Sequence, residues 1–420
     1  MCSESRLLRR SISSACATIA PLPSALPVIS FARYARLLEP RELRQTIVIS
    51  LLGRLPIGVT GLSMLILVQG ETGSFAAGGA ASGCYVAGLA AIAPALGRLI
   101  DRYGPRLTLL ASAIAFPAAL LALVGAVSDG GAGWLTLAFA AAAGASFPPI
   151  TVCMRTYLKR RLADDALLAT AYSLESVLIE TIFIVGPVLV ALFVALASPA
   201  TAVLFAAACG CAGTLLFLRS PALQAWHIEK RSRSGLLGPL AEPGFVPLIG
   251  VILCYSCAFG LMEIGITAYA IQIGEPALAG LLLGLMSVSS ALGGLAYGGR
   301  SWNLPLGRQF AMTLGLMAAG LVILALRWQP WAFGFWCSVA GVVMAPALII
   351  QSMLVAKAAS AEHSTEAFTW SSSALLSGVG LGLAGGGGLL ELFDSRTPFA
   401  AAAAMALGAA IGARFMLRKR

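Results

Sequence analysis

Gly97-Arg98-Leu99-Ile100-Asp101-Arg102-Tyr103-Gly104-Pro105-Arg106 is a polar interruption between two long apolar runs, residues 73–97 and 107–127. Each run is long enough to cross a bilayer, so the stretch reads as a tight loop joining two antiparallel membrane helices. Its three arginines place it on the cytoplasmic side, where loops carry an excess of Lys and Arg.

Composition points the same way. With 59% hydrophobic and 11% charged residues and a mean hydropathy of +0.89, the chain is too apolar for a soluble domain, which carries roughly a quarter charged residues. The net charge of +10 would suit a nucleic-acid binder, but placement argues otherwise. Of 28 Lys and Arg, only Arg327 and Arg396 fall in loops assigned to the outside, and Arg54 lies within an apolar run. The basic balance is topology, and no nucleic-acid partner is expected. Nine cysteines give no disulfide framework, since seven lie in apolar runs. Cys254-x-x-Cys257 sits inside a run without a second ligand pair, and His227 and His363 lie in loops, so neither a metal nor a cofactor is implied.

Residues 1–45 are rich in Ser, Pro and Arg and read as a disordered cytoplasmic tail. Twelve apolar runs follow, near 46–69, 73–97, 107–127, 132–156, 167–193, 199–218, 245–271, 276–298, 309–327, 331–356, 367–390 and 397–416. Loops after even-numbered runs hold the basic residues, among them Lys159, Arg160, Arg161, Arg300, Arg308 and Lys357. Loops after odd-numbered runs are short and hold Glu71, Asp129, Glu275, Glu391 and Asp394. Both termini are therefore expected in the cytoplasm. Residues 219–244 form a linker that divides a six-helix bundle at 46–218 from a second at 245–416, and 417–420 make a short basic tail.

The halves repeat each other. Gly88-Leu-Ala-Ala-Ile-Ala-Pro-Ala-Leu-Gly97 aligns with Gly284-Leu-Met-Ser-Val-Ser-Ser-Ala-Leu-Gly293, 196 positions on. The same offset pairs Ala171-Tyr172 with Ala367-Phe368 and Gly186 with Gly382. Upstream, Glu39-Pro40 pairs with Glu242-Pro243 and Gln69 with Gln272 at an offset of 203. Asp101 aligns with Tyr297, so the second half keeps basic residues in this loop but has lost the acid.

The opening loop resembles the signature between helices 2 and 3 of the major facilitator superfamily, roughly G-x-L-[AG]-D-R-x-G-x-[RK]. Gly97, Leu99, Asp101, Arg102, Gly104 and Arg106 fall in register, with Ile100 in place of a small residue. The resemblance implies an all-α membrane protein of twelve spans in two six-helix pseudo-repeats. It implies a gating role for Gly97, Asp101, Arg102, Gly104 and Arg106, latching the outward-facing state through charges set against neighbouring helix ends. Gly186-Pro187 resembles part of the family's antiporter motif, although the upstream glycine is replaced by Ile182. Residues 132–152 lack the mid-membrane arginine often found on the fourth helix, and Arg155 comes only at that run's cytoplasmic end.

Arg54, Glu175, Glu180 and Glu263 lie well inside apolar runs. A charge there costs at least a few kcal/mol unless it is paired, neutral or facing a wet cavity, so each is a candidate functional residue. Arg54 and Glu175 lie at matching depth, about 12 Å from the ends of their runs at ~1.5 Å per residue. Helices 1 and 5 are neighbours in the family, which makes an ion pair the expected role. Glu180 sits close to the midplane, and Glu263 is on helix 7, which lines the cavity in the family along with 1, 4 and 10. Both are candidates for carrying a proton or contacting solute. Thr60, Thr151, Met154, Thr267, Gln351, Trp370 and Ser371 to Ser373 are the remaining cavity candidates.

So few polar groups argue against a highly anionic solute such as a sugar phosphate. A small amphipathic solute fits better, and a cationic or neutral drug-like compound, oriented by one or two carboxylates, would suit. The expectation is a monomeric, proton-coupled secondary transporter of the plasma (bacterial inner) membrane, working by alternating access and favouring efflux. A proton symporter or facilitator for metabolite uptake is the alternative. A membrane-embedded enzyme or lipid-handling protein is the rival from another class, but no cluster of His, Asp or Cys at a membrane face supplies catalytic residues.

Overall fold

The structure is a computed structural model that describes residues 31–130, 133–224, 226, 238–275, 277–326 and 328–417. Twelve helical spans are long and apolar enough to cross a membrane, and no strand occurs among the described residues. The first half comprises α1 (Ala32–Leu38), α2 (Arg41–Arg54), α3 (Pro56–Thr72), α4 (Phe75–Tyr103), α5 (Pro105–Ser128), α6 (Gly133–Ala145), α7 (Ile150–Arg161), α8 (Asp165–Leu196) and α9 (Pro199–Leu218). After the one-turn α10 (Pro221–Gln224), the second half comprises α11 (Phe245–Gln272), α12 (Ala277–Gly298), α13 (Leu306–Leu324), α14 (Pro330–Gly341), α15 (Met344–Ala358), α16 (Ser364–Leu392) and α17 (Thr397–Leu417).

The tail reading needs correction where it meets described residues. Residues 32–38 are helical and the next helix already begins at Arg41, so only residues 1–30 of that reading lie outside the described residues. The reason is local: Tyr34 and Leu37 are buried, which gives α1 an apolar edge to dock. Linker residues 227–237, Arg327 and residues 418–420 also fall outside the described residues.

Three spans are broken rather than continuous. α2 gives way to α3 at Pro56, α6 to α7 across Pro148-Pro149, and α14 to α15 at Val342-Val343, with Pro346 in the first turn beyond. Proline lacks an N–H and clashes with the preceding turn, so it suits the start of a helix, although Pro94, Pro117 and Pro187 are each carried inside the unbroken helices α4, α5 and α8. The stretch 97–106 is not the open loop expected from the sequence: α4 runs on through Asp101 to Tyr103 and α5 begins at Pro105, so the turn is Gly104 alone, at φ 83°, a conformation that favours glycine.

Repeat-related residues make repeat-related contacts. A side chain at Gly186 would meet the backbone of Gly58, and one at Gly382 would meet Cys257 and Leu261, the partner of Gly58 at the upstream offset. Tyr172 and its equivalent Phe368 meet each other, edge to face at 6.2 Å, where the two bundles join.

The bundles are joined toward the arginine-rich face, called here the basic face. α4 crosses α16, and α8 crosses α12 and α15. The basic-side half of α8 is buried around most of its circumference, at Leu168, Thr170, Ala171, Tyr172, Ser173, Glu175 and Ser176. Its far half is held by the single stripe Ile182, Gly186 and Val190, while Phe183, Ile184, Val185 and Val188 are exposed. On α11, Ile252, Ser256 and Glu263 share one face at spacings of four and seven. Ile252 and Ser256 are fully buried, and Glu263 is exposed. The same face is thus covered near the basic side and open further out, so the cleft between the bundles opens on the far face.

Candidate transport site and gate

On the basic face, Asp101 accepts hydrogen bonds from the backbone N–H groups of Thr365 and Glu366, at 3.1 and 2.7 Å. These are free donors of the first turn of α16, where the helix dipole also favours an anion. Glu366 turns back to take Arg98 at 2.6 Å. Gly97 makes this approach possible, because a side chain there would strike Thr369 and Glu366. Lys159 donates to the carbonyl of Ala359 at 2.9 Å, and Lys357 meets Asp165 at 2.6 Å, so both ends of the seam are tied. Arg102 and Arg106 are exposed and make no ion pair among the described residues; Arg102 lies over the Tyr103 ring instead. Sequence reasoning passed over Arg98 and Glu366, although both lie in or opposite the quoted loop.

The repeat-related crossing is tied differently. Thr170 donates to the carbonyl of Gly298 at 2.7 Å and Ser173 to that of Gly294 at 2.6 Å. The Tyr34 hydroxyl, from α1, bonds Ser173 and the carbonyl of Leu295 at 2.7 and 2.9 Å. Burial pushes the Tyr34 phenol above its usual range, so it keeps its proton. Tyr297, in place of the acid, donates to Gln309 and stacks on Trp302 within its own half.

Further into the membrane lies a polar layer shared by both bundles. Arg54 and Glu175 form a two-pronged ion pair at 3.0 and 2.8 Å, with 1% and 2% of their side chains exposed. Across the seam Tyr255 donates to Gln351, and Gln351 donates to Ser371 at 2.6 Å. Gln351 is therefore held inside the second bundle. Thr60 is fully buried in the first bundle and does not line the cleft, which corrects its candidacy. Met154 is likewise fully buried.

Glu180 accepts from Ser290 on α12 at 2.8 Å, a bond that spans the bundles, and Ser290 also takes the N–H of Ala345. Glu263 makes no side-chain hydrogen bond or ion pair among the described residues. Of the two carboxylates expected to carry a proton or contact solute, Glu180 is thus already engaged by a hydrogen bond. Arg155 is the residue that counting from the helix end misplaced. Its guanidinium lies within electrostatic reach of Glu175, Arg54, Tyr172 and Tyr255, so it belongs to the polar layer and not to the surface.

A family model described as Major Facilitator Superfamily matches residues 46–326. Among solved structures, the chain is similar to a bacterial homologue of the iron transporter ferroportin in an outward-facing state, with a TM-score of 0.74 and 15% identity over 89% of this chain and 99% of that one. It is similar to the human organic anion transporter MFSD10 (TETRAN), with a TM-score of 0.69 and 17% identity over 88% and 98% of the two chains. It is similar also to the E. coli fucose:proton symporter FucP, with a TM-score of 0.68 and 13% identity over 88% and 98%. At such identities the likeness shows the fold alone. No curated protein matches the chain.

Proposed function

The chain belongs to the major facilitator superfamily, and from that membership we propose that it is a proton-coupled secondary transporter that exports small amphipathic solutes by alternating access. The observation that carries the reading is the one-sided seam: the bundles are tied on the basic face while α8 and α11 stand free on the far face. Rocking the halves about the polar layer would exchange this arrangement for its inverse. The clasp is formed by Asp101 with Arg98 and Glu366, and Gly97 and Gly104 permit its geometry; Arg102 and Arg106 act in topology. The basic loops support a cytoplasmic position for this face and both termini, in a reading of the protein as a plasma-membrane monomer. The export direction rests on the partial antiporter motif at Gly186-Pro187.

Glu263 is the carboxylate best placed to carry a proton, since it is exposed and engaged by no cation among the described residues. The test is flux in proteoliposomes across a panel of amphipathic solutes, with and without an imposed pH gradient. The wild-type chain moves solute faster with the gradient. Glu263→Gln keeps exchange of solute but loses the gradient dependence. Unaltered gradient dependence in that variant removes Glu263 from the coupling, and absence of flux for every solute removes the transport reading.

A further inference from the structure

The polar layer holds two arginines and one glutamate. Both oxygens of Glu175 are hydrogen-bonded by Arg54, so the two guanidinium groups share one carboxylate and Arg155 carries the layer's surplus positive charge among the described residues. A guanidinium cannot shed its proton to escape burial. Its Nε is buried with no acceptor. From Ile150 to Lys159 only Thr151, Arg155 and Lys159 are not fully buried, and their spacing of four puts them on one face of α7. Lys159 fixes where that face looks, because it reaches Ala359 of the other bundle. Arg155 and Thr151 lie one and two turns further from the basic face, along the same line toward the cleft. Side chains on a helix lean toward its N-terminus, here toward mid-membrane, so Arg155 leans toward Thr151.

Thr151 stands at the start of a half-helix. Pro148-Pro149 breaks the span, and α7 begins at Ile150 without a side-chain cap. The N–H of Ile150 bonds Pro148 and that of Cys153 bonds Pro149, which leaves the N–H groups of Thr151 and Val152 free. The Thr151 hydroxyl is also buried without a partner. A free helix start, an unpaired hydroxyl and an uncompensated guanidinium on one face make an anion site. One surplus positive charge matches one negative charge, which excludes polyanions.

We propose that Arg155, Thr151 and the free first turn of α7 bind the single carboxylate head of an amphipathic organic acid, the solute's apolar body lying in the cleft above. The proposal rests on the transport reading for its physiological meaning but not for its test. Benzoate and hexanoate are titrated against the purified full chain in detergent, with thermal stability as readout, and tetraethylammonium serves as the cationic comparison. Both carboxylates raise the melting temperature saturably and tetraethylammonium does not. Arg155→Gln weakens the carboxylates about tenfold or more, a loss of about 1.4 kcal/mol or greater. Arg155→Lys falls between, and Arg308→Gln, which removes an exposed charge, matches wild type. Should Arg155→Gln not fold, Thr151→Val must weaken hexanoate.

No saturable shift with either carboxylate overturns the proposal, as does equal binding by wild type and the Arg155 variants. Benzoate flux in proteoliposomes separates the two readings. Binding without flux retains the site and removes transport. Flux of tetraethylammonium that is indifferent to Arg155, without carboxylate binding, retains transport and removes the site.

Discussion

Arg54, Glu175 and Arg155 occupy one layer of the first bundle, where two cations face a single anion. Removing one member of a buried pair costs about 3–5 kcal/mol, because the survivor is left uncompensated. The two obvious removals are not equivalent here. Arg54→Gln leaves Glu175 within reach of Arg155, which can take over as its partner. Glu175→Gln strands both guanidinium groups. Glu175→Gln is therefore expected to cost the full range and Arg54→Gln clearly less, read as melting temperatures of the purified variants. Equal losses would show that Arg155 does not share Glu175. The Arg54–Glu175 pairing was legible because counting residues gives the matching depth and the family resemblance supplies the neighbouring helices. Arg155 was not, because counting from the helix end places its Cα near the surface, while the side chain leans a turn toward mid-membrane. Thr60 failed for the opposite reason: a polar residue at cavity depth carries no mark of which way its helix faces.

At the scale of elements, the seam on the basic face is two crossings built on one plan with different chemistry. At the α4–α16 crossing an ionised acid accepts two backbone N–H groups, and charge-assisted bonds of this kind contribute about 1.5–3 kcal/mol each. At the α8–α12 crossing neutral hydroxyls donate to carbonyls, worth about 0.5–1.5 kcal/mol each. Asp101→Asn keeps one acceptor oxygen but loses the charge, and should raise the labelling rate of Ser373→Cys from the basic face about tenfold or more in a chain otherwise free of cysteine. Tyr34→Phe removes one neutral hydroxyl and should raise it only a fewfold. A larger effect from Tyr34→Phe would mean that α1 is the principal fastener of the seam. The acid was legible because a charge in a short polar stretch at a fixed distance from glycines stands out, although it lies in the end of α4 and not in a loop. The hydroxyl ties were not, because Ser and Thr are common in membrane helices and only their partners distinguish them. The break before α7 was written plainly as Pro148-Pro149, and reading 132–156 as one run overlooked what two prolines do to a helix.

For the whole molecule, the internal repeat showed more than helix counting could. The offset aligns Tyr172 with Phe368, and the structure brings these two equivalent rings into contact where the bundles meet. Contacts within a bundle, such as Gly58 on Gly186, belong to a rigid unit, whereas contacts across the seam must break if the halves rock. The Ser373 hydroxyl bonds the Ala90 carbonyl at 2.7 Å across that seam, which makes Ala90→Cys with Ser373→Cys the pair to cross-link. Oxidising that double variant should stop solute flux in proteoliposomes, and reductant should restore it. Each single variant should transport with or without oxidant. The bond would hold α4 to α16 with the far face open, so the oxidised protein should still bind solute from that side at unchanged affinity. Loss of flux with retained binding is the signature of a blocked rocking step. If the fully cross-linked protein carried solute at the reduced rate, the bundles would not need to part on the basic face, and solute would have to pass by some motion within a bundle.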